Sequence, residues 1–180
     1  MNDSERKKPN WFTPGVGAVQ WLWLSGIVIV LDQWTKWLTV KNLGLYDRIY
    51  LLPVLDITHR RNTGAAFSFL ADAGGWQRWF FVALALVVSI VIMFWLRSTP
   101  ARGQMRQAMG LALILGGALG NVIDRALYGY VVDFVLVHYK DWYFPAFNVA
   151  DSSITVGAGL LILDALWQGR SVGGEKNSST

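Results

Sequence analysis

The chain of 180 residues contains no cysteine. This absence excludes disulfide bonds, thiolate metal sites, a cysteine nucleophile and an acylated-cysteine anchor. Histidine is scarce as well: only His59 and His138 occur, and there is no HExxH sequence, which argues against a zinc site. A GxSxG nucleophile motif and a P-loop are also missing. We therefore expect no metal and no cofactor.

The chain also has few charged residues. Charged residues make up 16% of the chain, against about 25% in an average soluble domain. Apolar residues reach 53%, ten residues are tryptophan, and the mean hydropathy is +0.34. The net charge is +4, but the basic residues are scattered and form no stripe that could follow a nucleic-acid backbone. Composition indicates a membrane protein and argues against a soluble globule, a disordered chain and a nucleic-acid binder.

Four apolar segments predict membrane-spanning helices, at about residues 16–40, 76–97, 105–127 and 147–167. A span needs about 20 predominantly apolar residues. No convincing cleavage site follows the first segment, so we interpret it as an uncleaved helix and not as a signal peptide. The loop around residues 97–106 holds three arginines and no acid, which places it and both termini in the cytoplasm.

The two remaining segments, 41–75 and 128–146, then face outward. IYLLPVLDIT and YVVDFVLVHY have the composition of β-strands, whereas NTGAAFSFLAD fits a short interfacial helix. The predicted fold is an all-α integral membrane protein with four transmembrane helices, a small extramembrane β-rich platform and a short interfacial helix. A single domain is expected over 16–168, with flexible tails at 1–15 and 169–180.

Charged residues near a bilayer core cost about 3 kcal/mol each on insertion scales, so each one calls for a partner or a task. Asp32 and Lys36 are four residues apart and share one helix face. They form either an internal ion pair or a brace for a polar interior. Asn121, Asp124 and Arg125 also share a face. They are either a polar helix end, with Arg125 reaching the headgroups, or support for a site.

The best candidates for chemistry are Asp133 and Asp151. Asp133 stands among apolar β-branched residues, and Asp151 follows Asn148 by three residues at the start of the fourth helix. Asp151 alone would also suit a helix cap. Two neighbouring carboxylates share one proton, so the ionised one can activate water while the protonated one donates to a carbonyl oxygen. This chemistry requires no serine, cysteine or metal.

Five segments then reveal a resemblance to a known family. They are LDQWTK (31–36), RNTGAAFSFL (61–70), GNVIDR (120–125), VVDF (131–134) and FPAFNVADSSITVG (144–157). In sequence, order and spacing the chain resembles bacterial lipoprotein signal peptidase, also called signal peptidase II, over roughly Trp21 to Trp167. Five ordered motifs in a chain with four predicted membrane helices make the resemblance specific.

The resemblance implies an intramembrane aspartyl endopeptidase that cuts prolipoproteins just before a diacylglyceryl-modified cysteine. It places the catalytic aspartates on Asp133 and Asp151. The supporting polar positions of the family fall on Asp32, Lys36, Asn62, Gly64, Asn121, Asp124, Arg125, Asn148 and Ala150.

The same resemblance implies a location and partners. It implies a multi-pass protein of the bacterial inner membrane with its active site near the periplasmic face, in contact with lipid. It also implies blockade by globomycin-type peptides, and we expect a monomer that binds no nucleic acid. Two alternatives compete on the residues alone: a small proton-coupled transporter, and a structural membrane anchor that leaves Asp133, Asp151 and Arg125 without a purpose.

Overall fold

The computed structural model describes residues 17–64, 74–100 and 103–176. A short 3-10 turn (Gly17–Trp21) leads into α1, and two strands separate α1 from α2. Two further strands lie between α3 and α4. The elements are α1 (Leu22–Asn42), β1 (Arg48–Leu52), β2 (Leu55–Asn62), α2 (Trp76–Ser98), α3 (Met105–Tyr128), β3 (Val131–Tyr139), β4 (Trp142–Tyr143) and α4 (Val149–Lys176).

Helix α3 packs against each of α1, α2 and α4. Its small residues allow the close approach: an added Cβ at Gly117 would lie 2.4 Å from the carbonyl oxygen of Ala150 on α4. A side-chain hydrogen bond of 2.7 Å from Ser25 to the carbonyl oxygen of Ala112 ties α1 to α3. Packing through small residues and interhelical hydrogen bonds is typical of helices in a bilayer, where the hydrophobic effect does not drive helices together.

Within the described residues, three helices are long and apolar enough to cross a membrane: α2, α3 and α4 as far as Trp167. Helix α1 has 21 residues but is not among them, because Asp32, Gln33 and Lys36 lower its hydropathy. Asp32 and Lys36 are nevertheless buried against the other helices, whereas Trp23, Val30 and other large apolar side chains of α1 are exposed.

The four strands form one antiparallel sheet in the order β1-β2-β3-β4. This confirms the small β-rich unit that the two outer segments predicted. Arg60 on β2 lies directly opposite Asp133 on β3, and Asn62 lies opposite Val131. The sheet therefore carries Asp133 to the end of the helix bundle where α4 begins. The interfacial helix expected within NTGAAFSFLAD lies largely outside the described residues.

The ends of two helices differ from the sequence prediction. The first begins with a 3-10 turn and becomes α-helical only at Leu22, and the last continues to Lys176, through most of the tail expected over 169–180. The apolar run stops near Trp167, and glycines at 169, 173 and 174 follow it, a residue type that disfavours helix. Helix propagation is cooperative, however, so an established helix can pass through weak formers.

Candidate active site

Asp133 is fixed on strand β3 by two amide side chains. It is 3% exposed. Asn148 donates from Nδ2 to Asp133 Oδ1 at 2.7 Å, and Asn62 donates from Nδ2 to Asp133 Oδ2 at 3.2 Å. The strand gives the carboxylate its place because Asp133 and Asn62 lie on neighbouring strands of one sheet. Both oxygens therefore have a defined direction before any substrate arrives.

Asp151 is held in the first turn of α4 by a reciprocal cap. The backbone N–H of Asp151 donates to Asn148 Oδ1 at 2.9 Å, and the N–H of Asn148 donates to Asp151 Oδ2 at 3.3 Å. This is the geometry of a capping box, with Asn148 as the N-cap residue. Asn121 donates to the other oxygen of Asp151 at 2.8 Å. The cap residue is thus Asn148 and not Asp151, and Asp151 closes the capping box from three residues further along.

Asn148 joins the two aspartates. Its Nδ2 also lies 3.2 Å from the carbonyl oxygen of Val132, which anchors it to β3. The residue is fully buried. One side chain therefore contacts the carboxylate of Asp133 on the sheet and closes the helix turn that carries Asp151. The two candidate catalytic residues lie together, although 18 positions of sequence separate them.

Beneath the pair lies a buried polar cluster. Lys36 Nζ is 2.7 Å from Asp32, 3.0 Å from Asp124 and 3.0 Å from Asn121 Oδ1. Asn121 thus connects the lysine to Asp151. Gln33 belongs to the same cluster, since its Nε2 donates to Asp124 at 2.9 Å. The sequence analysis did not select Gln33; the only available signal was its place next to Asp32 in LDQWTK.

The two acids of this cluster, Asp32 and Asp124, bind Lys36 and also accept hydrogen bonds from backbone N–H groups. Asp32 Oδ1 accepts a 2.9 Å hydrogen bond from the N–H of Ala150, and Asp124 Oδ2 accepts one of 3.1 Å from the N–H of Val132. Each bond sits one residue before a candidate catalytic aspartate. Asp32 and Lys36 are therefore both an ion pair and a brace, and Asp124 supports β3.

Asn62, Gly64 and Arg125 form a third group. The N–H of Gly64 donates to Asn62 Oδ1 at 3.0 Å, which makes the tight turn that the sequence indicated. Arg125 donates to the carbonyl oxygen of Gly64 at 2.7 Å, and its guanidinium lies 5.2 Å from the ring centre of Phe81. Arg125 thus connects α3 to the turn that follows β2, and Asn62 connects that turn to Asp133.

The electrostatic surroundings set Asp133 apart from an ordinary carboxyl group. Burial, and after it the negative charge of Asp151, raises the pKa of Asp133 from 3.8 to about 7. Hydrogen bonds from Asn62 and Asn148 oppose this rise. A carboxyl group with a pKa near neutrality can hold a proton at physiological pH and release it during a reaction.

Two cavities meet at the segment Phe144–Ala146. One of about 580 Å³ contains Asp133 and Asn62 together with arginines and tyrosines of the sheet. The other, of about 430 Å³, contains Asp151 and runs along α4 past Thr155 and Val156. Each aspartate therefore faces a space large enough for part of a peptide or an acyl chain. Among the described residues, no group of three or more His, Asp or Glu side chains is placed to hold a metal ion.

Comparison with known proteins identifies the family. The sequence model of signal peptidase (SPase) II matches residues 24–167. The lipoprotein signal peptidase of Actinobacillus succinogenes is 50% identical over 88% of this chain and 97% of its own length. That of Pseudomonas aeruginosa is 53% identical over 82% of this chain and 88% of its own length.

Solved structures agree with this match. Two structures described as bacterial membrane enzymes superpose with TM-scores of 0.73 and 0.71, at 31% and 29% sequence identity. They cover 83% and 86% of this chain, and 89% and 98% of their own lengths. The comparisons decide against the transporter and the structural anchor. The extent of the family match, together with relatives about half identical over most of the chain, shows that the chain belongs to the signal peptidase II family.

Proposed function

We propose that Asp133 and Asp151 are the catalytic pair with which this aspartic endopeptidase removes signal peptides from diacylglyceryl-modified prolipoproteins. Membership of the family makes the chain a lipoprotein-processing peptidase. The observation that carries the residue assignment is the double contact of Asn148, which binds Asp133 by its side chain and Asp151 by its backbone. The cut falls before the lipidated cysteine.

Asp133 is the member that holds the shared proton. Its carboxyl group is the more deeply buried of the two, and burial together with the charge of Asp151 raises its pKa to about 7. Asp151 is partly exposed and lies at the N-terminus of α4, where the helix dipole favours a negative charge. The pair then starts the reaction with one proton and one negative charge.

In the proposed reaction, Asp151 accepts a proton from water as the water oxygen bonds to the scissile carbonyl carbon. Asp133 gives its proton to the carbonyl oxygen, which forms a gem-diol. The carbon–nitrogen bond then breaks, the amine nitrogen takes the proton from Asp151, and Asp133 recovers a proton from the gem-diol. Water is consumed, both carboxyl groups return to their starting states, and no acyl-enzyme forms.

The supporting residues act by fixing positions. Asn62 and Asn148 orient Asp133, while Asn121 orients Asp151. Asp32 and Asp124 hold the backbone of Ala150 and Val132, and Arg125 holds Gly64. Placement of this kind supplies catalytic power because the reacting groups need little rearrangement in the transition state.

We also propose that all four helices span the membrane, within one peptidase domain over 16–168. The support for α1 is the burial of Asp32 and Lys36 inward, while its exposed side chains are mainly aromatic and aliphatic. With the basic loop around 97–106 in the cytoplasm, both termini are cytoplasmic and the aspartates lie toward the periplasmic face of the inner membrane.

The proposal extends to the lipid, to inhibitors and to the oligomeric state. The diacylglyceryl group stays in the lipid and sets the depth of the scissile bond. Globomycin-type peptides compete for the same cavities. The protein acts as a monomer, since Asp133, Asp151, Asn121 and Asn148 are supplied by one chain.

The test uses purified protein in detergent with a precursor lipoprotein, with and without its diacylglyceryl group. Release of the signal peptide from the lipidated form alone is expected. The Asp133→Asn/Asp151→Asn double variant supplies the inactive control, with its folding checked by thermal unfolding. Absence of cleavage by folded wild-type protein would contradict the proposal, and equal cleavage of both precursors would contradict the role of lipid.

A further inference from the structure

The cavity that contains Asp133 has a basic wall. Arg60 and Arg61 both line it, and Asp133 is the one acidic residue among the lining side chains that the structure describes. Residues directly opposite each other on antiparallel strands point to the same face of a sheet, so Arg60 and Asp133 share a face. When Asp133 holds the proton of the pair, the described residues of this wall carry two positive charges and no negative one.

Arg60 is held in place by Tyr46. The guanidinium carbon of Arg60 lies 5.5 Å from the ring centre of Tyr46, which also lines the cavity. Tyr46 has a φ of 71°, a conformation that residues other than glycine rarely adopt. A 2.9 Å hydrogen bond from its N–H to the carbonyl oxygen of His59 keeps the backbone there. Such backbone strain persists only where the surrounding structure imposes it, often at ligand clamps.

The Nε atom of Arg60 is buried and, in the part of the chain that the structure describes, has no hydrogen-bond partner. This buried N–H is closed to a ligand, but Arg60 lines the cavity, so the rest of its guanidinium is the part placed to meet a ligand there. An arginine fixed by an aromatic ring presents its donors in a planar fork that fits a carboxylate. The chemistry of this wall therefore matches an acidic side chain.

The substrate has a different part on each side of the scissile bond, and the two cavities differ in the chemistry of their linings. The cavity along α4 is lined mainly by apolar groups such as Phe144, Phe147 and Val156, which suits the signal peptide or the lipid. The cavity on the sheet lies away from α4 and carries the arginines, so it suits the polar residues after the lipidated cysteine.

We propose that Arg60, assisted by Arg61, is a specificity-determining residue that favours prolipoproteins with an acidic side chain shortly after the lipidated cysteine. The inference rests on the proposed function, because it uses Asp133 to place the substrate over the sheet. It concerns preference among substrates and not the hydrolysis itself.

The experiment compares diacylglyceryl peptides that carry aspartate, asparagine or lysine in turn at each position just after the cysteine. Wild-type protein should cleave the best aspartate peptide with a kcat/KM about tenfold above the matched asparagine peptide, as expected for one charge-assisted hydrogen bond. Arg60→Gln should bring the ratio of kcat/KM between the aspartate and asparagine peptides close to one. Arg60→Glu should shift the preference to lysine.

Lys140→Gln is the matched control. Lys140 is also a cation over a tyrosine ring on the platform, 5.6 Å from the centre of Tyr139, but it does not line the cavity. Its variant should keep the wild-type preference. Equal preference for aspartate in wild type and Arg60→Gln would overturn the inference. A difference between the two proteins that appears only when the micelle contains anionic lipid would also overturn it, because Arg60 would then act on lipid and not on the substrate side chain. Cleavage of the asparagine peptide in those cases would leave the proposed function intact.

Discussion

The side-chain amide of Asn148 donates a 2.7 Å hydrogen bond to Asp133, and its carbonyl oxygen accepts the backbone N–H of Asp151 at 2.9 Å. One residue therefore sets the position of an aspartate on a strand and of another on a helix. In the proposed mechanism, this arrangement lets an aspartate on the sheet and one on the helix share a single proton.

Asn148 gives the first prediction. Asn148→Ala should lower kcat about 100-fold, a loss typical of removing one preorganised donor, and should destabilise the protein by about 1 kcal/mol through the lost helix cap. Asn148→Ser separates the two effects, because serine caps a helix but cannot reach Asp133 as the amide does. We expect Asn148→Ser to unfold at a higher temperature than Asn148→Ala, because it keeps the cap, and to lose as much activity. Normal kcat in Asn148→Ser would show that the contact with Asp133 is dispensable.

The second prediction concerns pH. The pKa of Asp133 rises from 3.8 to about 7 in the folded protein, so folding favours its protonated form. The resulting stability is fully present below about pH 4 and is lost as the pH rises through about 7. The kcat/KM should fall over the upper part of this range, because Asp133 loses the proton that it donates.

Unfolding temperatures and kcat/KM measured from pH 4 to pH 9 test this expectation. The Asp133→Asn variant should show a flatter dependence of stability on pH than the wild type. A stability profile that is the same in both proteins would contradict the assignment of the raised pKa to Asp133.

Lys36 gives the third prediction. Lys36→Met leaves Asp32 and Asp124 buried without their cation, so it should destabilise the protein by about 3–5 kcal/mol. The Asp32→Asn/Lys36→Met double variant removes one charge of each sign and should be more stable than Lys36→Met alone. Thermal unfolding of the three proteins in one detergent gives the comparison. A double variant less stable than the single one would show that the ion pair is not what holds these helices.

The fourth prediction concerns the contact between α3 and α4. A Cβ at Gly117 would lie 2.4 Å from the carbonyl oxygen of Ala150 and 2.6 Å from Ser153 Oγ, so Gly117→Ala forces α4 to move beside Asp151. We expect a loss of about 1–3 kcal/mol and a lower kcat. Gly159→Ala, on the partner helix α4, is the control, since a Cβ there meets nothing within 4 Å. Equal stability and activity in the two variants would contradict the role of this close approach.

Much of this arrangement was predictable from local patterns. Apolar runs predicted α2, α3 and the spanning part of α4, and β-branched runs predicted the strands, because both signals depend on neighbours in sequence. Spacing of three and four residues also placed Asn121 with Asp124 and Arg125 on one face. The pairing of Asp32 with Lys36 followed from the same rule.

Contacts between distant segments were not predictable in this way. Nothing local indicates that Asp32 would accept from the N–H of Ala150, 118 positions later, or that Gln33 would donate to Asp124. Arg125 was expected to reach the headgroups or to support a site, and the sequence did not indicate that it would do so through the Gly64 carbonyl. These contacts depend on helix packing and strand register, which pattern analysis does not determine.

The most direct test of the central claim compares the single variants Asp133→Asn and Asp151→Asn with Asp141→Asn. Asp141 is an exposed aspartate in the turn between β3 and β4, so it controls for loss of one carboxylate from the platform. Cleavage of a lipidated precursor is followed in detergent, with unfolding temperatures measured in parallel. The account predicts folded proteins in all cases, with activity near the wild-type value in Asp141→Asn and reduced by at least about a thousandfold in each of the other two. Substantial cleavage by either Asp133→Asn or Asp151→Asn would contradict it.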